Sequence, residues 1–134
     1  MDRTRRFPTL QAGDFVEVLA LIDAVERGKS PDPGILQTFS FKLDHLTDKG
    51  SERLSDDCDA STQTVVRGAM MTNPAPWFTR PRKGPATDQQ MLCDFIRSLR
   101  RKLRSIGKLK PKEREALRNI FAFFSEQLPT YERS

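Results

Sequence analysis

The side chains with the clearest chemical signal in this 134-residue sequence are five cations: Arg97, Arg100, Arg101, Arg104 and Lys108. They fall at i, i+3, i+4, i+7 and i+11, a spacing that projects them together from one side of a helix. Arg80, Arg82 and Lys83 precede them, and Lys110, Lys112 and Arg114 follow. Between residues 80 and 114, twelve Lys and Arg stand against Asp88, Asp94 and Glu113, a net of +9; the whole chain is +5, so the remainder carries −4. A ridge polarised in this way attracts something acidic: an RNA or DNA backbone, an anionic membrane surface or an acidic protein patch. A charge run is also the ordinary make-up of a solvated helix face. No aromatics interleave the ridge, which argues against base stacking and single-strand sequence recognition.

The other reactive side chains form no catalytic set. His45 is the only histidine, and beside Asp44 and Asp48 it reads as a surface imidazole. Cys58 and Cys93 are single and far apart in sequence, without the spacing of a zinc site. Asp94 next to Cys93 should raise a thiol pKa rather than lower it. Phosphate-binding, dinucleotide-binding and serine-hydrolase loop motifs are all missing. These residues predict a non-enzymatic protein with no metal and no cofactor.

The ridge must be positioned by the stretch from Thr87 to Leu128, which reads as two helices folded back on each other. Thr87 caps the first, and Gln90 completes a capping box. Leu92 or Met91, Phe95, Ile96, Leu99, Leu103 and Ile106 make one apolar stripe. Gly107 is expected to end that helix in the left-handed conformation. Pro111 suits the first turn of the next helix, whose stripe is Leu117, Ile120, Phe121, Phe124 and Leu128, with Pro129 as its stop. The short connection predicts an antiparallel helical hairpin.

Upstream, residues 1–12 read as a short basic arm. A helix is expected from Asp14, with Glu17 at the capping-box position; Phe15, Val18, Leu19, Ile22 and Val25 face one way and Val16 and Leu21 widen the apolar surface. Gly28 ends it. Asp32-Pro33 starts a second helix. Phe39, Phe41 and Leu43 also alternate as a strand would, but length and the Lys49-Gly50 stop favour the helix. From Asp44 to Asp59, six acids face two bases, a net of −4; the later part of this run reads as a polar loop that docks only loosely on the ridge. A short helix over about Ser61–Met71 buries Val65, Val66, Ala69 and Met70. Residues 72–86 form a proline-rich loop in which Trp77 and Phe78 either lock the loop onto the helices, the favoured reading, or offer an aromatic contact to a partner.

The prediction is an all-α fold, a small bundle of four to five helices closed by the C-terminal antiparallel hairpin, in one domain spanning 13–134. Nine phenylalanines supply much of its core. No stretch approaches the roughly 20 apolar residues of a membrane span. The charged N-terminus leads into no apolar signal region, and two cysteines fit a reducing compartment, so an intracellular location is expected.

In its order of elements the chain resembles the C proteins of the paramyxoviruses. The resemblance rests on Glu17, Val18, Leu19, Leu21 and Ile22 in the first helix, then on Ile35-Leu-Gln-Thr-Phe-Ser-Phe-Lys-Leu43. It continues with Met70-Met71-Thr72 ahead of Trp77-Phe78, and with a Pro85-Ala-Thr lead into the helix from Met91. It covers most of residues 14–128 and is one of pattern rather than signature. The long basic N-terminal region of that family is reduced here to about a dozen residues. The resemblance implies a non-enzymatic viral accessory protein of the host cytoplasm and nucleus, encoded in a frame overlapping the phosphoprotein gene. Such proteins down-regulate viral RNA synthesis and interfere with interferon signalling, and their partners include STAT transcription factors, Alix and the viral polymerase complex. The competing expectation is a small basic helical nucleic-acid-binding regulator of phage or bacterial origin, using the same ridge.

Overall fold

The computed structural model describes residues 10–48, 50–56, 58–73, 75–78 and 87–128. It has five α-helices: α1 (Ala12–Glu26), α2 (Pro33–Asp44), α3 (Ala60–Thr72), α4 (Asp88–Arg104) and α5 (Pro111–Gln127), with a 3-10 turn over Ile106–Lys108. The described residues are 71% helical and contain no strand, so the protein is a small all-α bundle. The ambiguous segment around Phe39 is helix, inside α2.

Local chemistry sets most helix ends. Asp32 caps α2 by accepting from the Gly34 N–H at 2.8 Å, with Pro33 in the first turn. Asp59 caps α3 through the Thr62 N–H at 2.9 Å. At α4 the capping box is complete: Thr87 Oγ1 accepts from the Gln90 N–H at 3.1 Å and Gln90 Oε1 from the Thr87 N–H at 2.9 Å. Two ends differ from expectation. The first helix begins at Ala12, not Asp14, because Asp14 occupies its third position and accepts from the Gln11 N–H at 2.9 Å; Glu17 plays no part in the cap. Gly107 does not adopt a left-handed conformation. The chain instead tightens into the 3-10 turn, which keeps Ile106 fully buried, while among the described residues Gly28 (φ +90°) and Gly50 (φ +81°) are the glycines that turn left-handed.

The core knits all five helices. Phe15, Phe39, Phe121 and Phe124 form an aromatic cluster joining α1, α2 and α5, with ring centroids 4.8 Å (Phe15–Phe39), 4.9 Å (Phe15–Phe124) and 5.4 Å (Phe39–Phe121) apart. Leu92, Phe95, Ile96, Leu99 and Leu103 bury the stripe of α4, as Leu117, Ile120 and Phe121 do for α5. The stripes meet in one core, yet α5 lies chiefly against α1 and α4 chiefly against α2, and direct contact between α4 and α5 is sparse. The core also reaches further than expected at the N-terminal side. Leu10 and Ala12 are buried, so the last part of the segment read as an arm belongs to the domain; residues 1–9 lie outside the described residues. Leu21 is buried, but Val16 is 58% exposed and adds nothing to the core.

The acidic segment after α2 is not a loose polar loop. Thr47 and Leu54 form an isolated antiparallel bridge, supported by hydrogen bonds from the Asp48 N–H to the Arg53 carbonyl and from the Ser55 N–H to the Leu46 carbonyl, both 2.9 Å. Leu46, Leu54 and Cys58 are buried in the core. Apolar burial, which outweighs the charge of the neighbouring acids, holds this strap on the protein.

Candidate functional site

The strap brings Asp48, Ser51, Glu52 and Leu54 onto the N-terminal half of α4. Gln89 Oε1 accepts from the Leu54 N–H at 3.0 Å, and Gln90 Nε2 donates to Glu52 at 2.8 Å. Arg97 donates through Nη2 to the carbonyl oxygens of Ser51 (2.8 Å) and Asp48 (3.1 Å). The predicted loose docking is therefore replaced by a specific one made to backbone carbonyls, and Arg97 is withdrawn from the ridge to serve it. Replacing Arg97 with Ala should destabilise the strap by about 1–2 kcal/mol, toward the low side for charge-assisted bonds because the guanidinium is only half buried. Faster hydrogen exchange at the Asp48 and Ser55 amides would register the loss; unchanged exchange would show that the buried leucines hold the strap alone.

Beyond Arg97 the ridge opens to solvent. Arg101 and Arg104 on α4 and Lys108 in the 3-10 turn are exposed. Arg100 is half buried, with Nε 3.9 Å from Asp44 Oδ1. Arg114 does not extend the ridge: its Nη1 donates to the Leu109 carbonyl at 2.7 Å, and its Nε lies 3.7 Å from Glu26 of α1. Lys102, between the ridge cations in sequence, turns the other way and pairs with Glu113 at 3.2 Å. Arg80, Arg82 and Lys83 lie outside the described residues.

Arg100 and Arg104 form one wall of an open groove of about 460 Å³ whose other wall is α2, contributing Pro33, Leu36, Gln37, Ser40, Phe41 and Asp44. A neighbouring hollow of about 380 Å³ continues it past Arg97, Arg101 and Ser105. Phe41 is 54% exposed and meets the His45 ring edge-to-face at 4.5 Å. The α2 wall was missed by reading the sequence for charge. One signal did point to it: residues two positions apart on a helix are rotated by about 200°, so once Phe39 and Leu43 face the core, Phe41 must face away.

Trp77 and Phe78 pack on the opposite flank of α4. Trp77 Nε1 donates to Ser98 Oγ at 3.2 Å, Lys102 Nζ sits 5.7 Å from the Trp77 ring centroid, and Phe78 meets Phe95 edge-to-face at 5.4 Å. The two aromatics thus lock residues 75–78 onto α4, and neither reaches the groove.

Both thiols are free and buried. Burial, with Asp59 and Cys93 nearby, pushes the Cys58 thiol up from an ordinary 9.0 to about 12. Cys93 is raised as well, first by burial; Arg97 opposes the shift, and Asp94 contributes in the expected direction. A raised folded-state pKa means that the neutral Cys58 thiol stabilises the fold fully below pH 9 and that this contribution is lost as pH rises toward 12, at about 1.4 kcal/mol per pH unit. The alkaline fall in stability should therefore be shallower in Cys58→Ala than in the parent; parallel curves from pH 9 to 11 would contradict the shift. Among the described residues, no group of three or more His, Cys, Asp or Glu could hold a metal ion, and no helix is long and apolar enough to cross a membrane.

These features define an all-α protein with an open cationic groove. The chain matches no family model, no curated protein and no solved structure.

Proposed function

We propose that the protein is non-enzymatic and works by binding an acidic protein surface through Arg100, Arg101, Arg104 and Lys108. The observation that carries this reading is that the apolar stripe of α4 is buried against its neighbours while its cationic side lines an open groove beside an exposed Phe41. Burial of the stripe leaves α4 without an apolar face for an anionic membrane to take up. A duplex backbone would use the cations but leave Phe41 without a partner. The resemblance to paramyxovirus C proteins supplies a setting for such a surface: a viral accessory protein in the host cell that holds STAT transcription factors, Alix or the viral polymerase complex, damping viral RNA synthesis and interferon signalling.

Two titrations of the immobilised protein test this reading, one with purified STAT transcription factor or Alix and one with nonspecific duplex RNA, each at low and moderate salt. Saturable capture of a protein partner that survives moderate salt is the expected result. RNA binding with steep salt dependence and no protein capture would instead establish the nucleic-acid regulator.

A further inference from the structure

We infer that the groove between α2 and α4 takes a short acidic segment of a partner protein in which a large apolar side chain is flanked by carboxylates. The inference rests on the acidic-partner reading and assigns its contact point. The two walls differ in chemistry: Leu36 and the exposed Phe41 offer apolar surface, and Arg100 and Arg104 stand opposite. Between them lies Ser40, 7% exposed, with its hydroxyl oxygen sealed beneath the groove floor. An occupant of the groove therefore meets one apolar wall and one cationic wall. The same occupant gains charge-assisted bonds from the arginines, which suit planar carboxylates bidentately. Its apolar side chain would cover Phe41. A bare phosphate fits less well, since it would leave Leu36 and the exposed Phe41 uncovered while meeting the same Asp44. The volume of about 460 Å³ suits one or two side chains rather than a whole domain face.

The test is fluorescence anisotropy with a labelled short synthetic peptide of Asp and Glu around a central Leu-Phe pair, against the same peptide with Ser-Ser at the centre, and against duplex RNA. The Leu-Phe peptide should bind at moderate salt and the Ser-Ser peptide about tenfold more weakly. Phe41→Ser and Arg104→Glu should each weaken the Leu-Phe peptide about tenfold or more. Melting temperatures of these variants close to the parent's keep the comparison clean, and Arg104 and Phe41 are exposed enough to allow it. Peptide binding that falls in Arg104→Glu but ignores both Phe41→Ser and the Ser-Ser exchange would overturn the groove while leaving an acidic partner in place. Absence of binding by either peptide, with or without RNA binding, would overturn the inference; RNA binding alone would overturn the acidic-protein reading with it.

Discussion

Phe121→Ala is expected to destabilise the protein by about 3–5 kcal/mol, the range for emptying a fully buried phenylalanine site. The ring has no solvent exposure, and its centroid lies 5.5 Å from Phe15, 5.4 Å from Phe39 and 6.4 Å from Phe124. These three rings come from three different helices, each already tied by other contacts, so the cavity cannot close by the shift of one side chain. Edge-on and tilted ring contacts of this kind add about 0.5–1.5 kcal/mol per pair beyond the buried area. A loss of that size consumes much of the roughly 5–15 kcal/mol available to a small domain. Urea or thermal unfolding measures it, with Phe41→Ala as the internal comparison. Phe41 is an exposed aromatic on α2, where the same truncation should shift stability by about 0.5 kcal/mol or less. Equal losses at the two positions would contradict the aromatic cluster.

The second large effect is on binding. Arg101→Glu combined with Arg104→Glu should leave the melting temperature within a few degrees of the parent and remove binding to an acidic partner. Both residues are exposed on α4, off the buried stripe of Leu99 and Leu103, so reversal buries no charge. Like charges then face each other across the interface, which can cost several kcal/mol, or more than a hundredfold in affinity. Arg100 belongs in a separate variant. Its guanidinium Nε is buried 3.9 Å from Asp44 Oδ1, and Arg100→Glu would set two carboxylates together in the groove wall. That substitution should lower stability as well as binding, whereas the Arg101/Arg104 pair should lower binding alone. Thermal melting alongside capture of a purified acidic partner separates the two. A double variant that melts normally and keeps its partner would reduce this side of α4 to a solvated face.

The caps and stripes of α2, α4 and α5 were legible in the sequence because they depend on neighbours within one helical turn. Thr87 with Gln90, Asp32 with Pro33, and Pro111 needed no tertiary context to mark helix starts. The periodicity of Leu92 to Leu103 and of Leu117 to Phe124 likewise identified the buried faces, and with them the side on which Arg101 and Arg104 stand free. What the sequence could not settle was which stripe meets which. The short connection set the α5 stripe against α4, but hydrophobic attraction is non-directional, and the packed structure places that stripe chiefly on α1. The fate of individual cations was equally open. Arg97 and Arg101 share one helix and one charge, yet only the fold brings the Asp48 and Ser51 carbonyls within reach of Arg97 and leaves Arg101 in solvent. The groove is the furthest from the sequence of all, because Ser40 and Arg100 lie on separate helices whose spacing is set by the side chains packed beneath them.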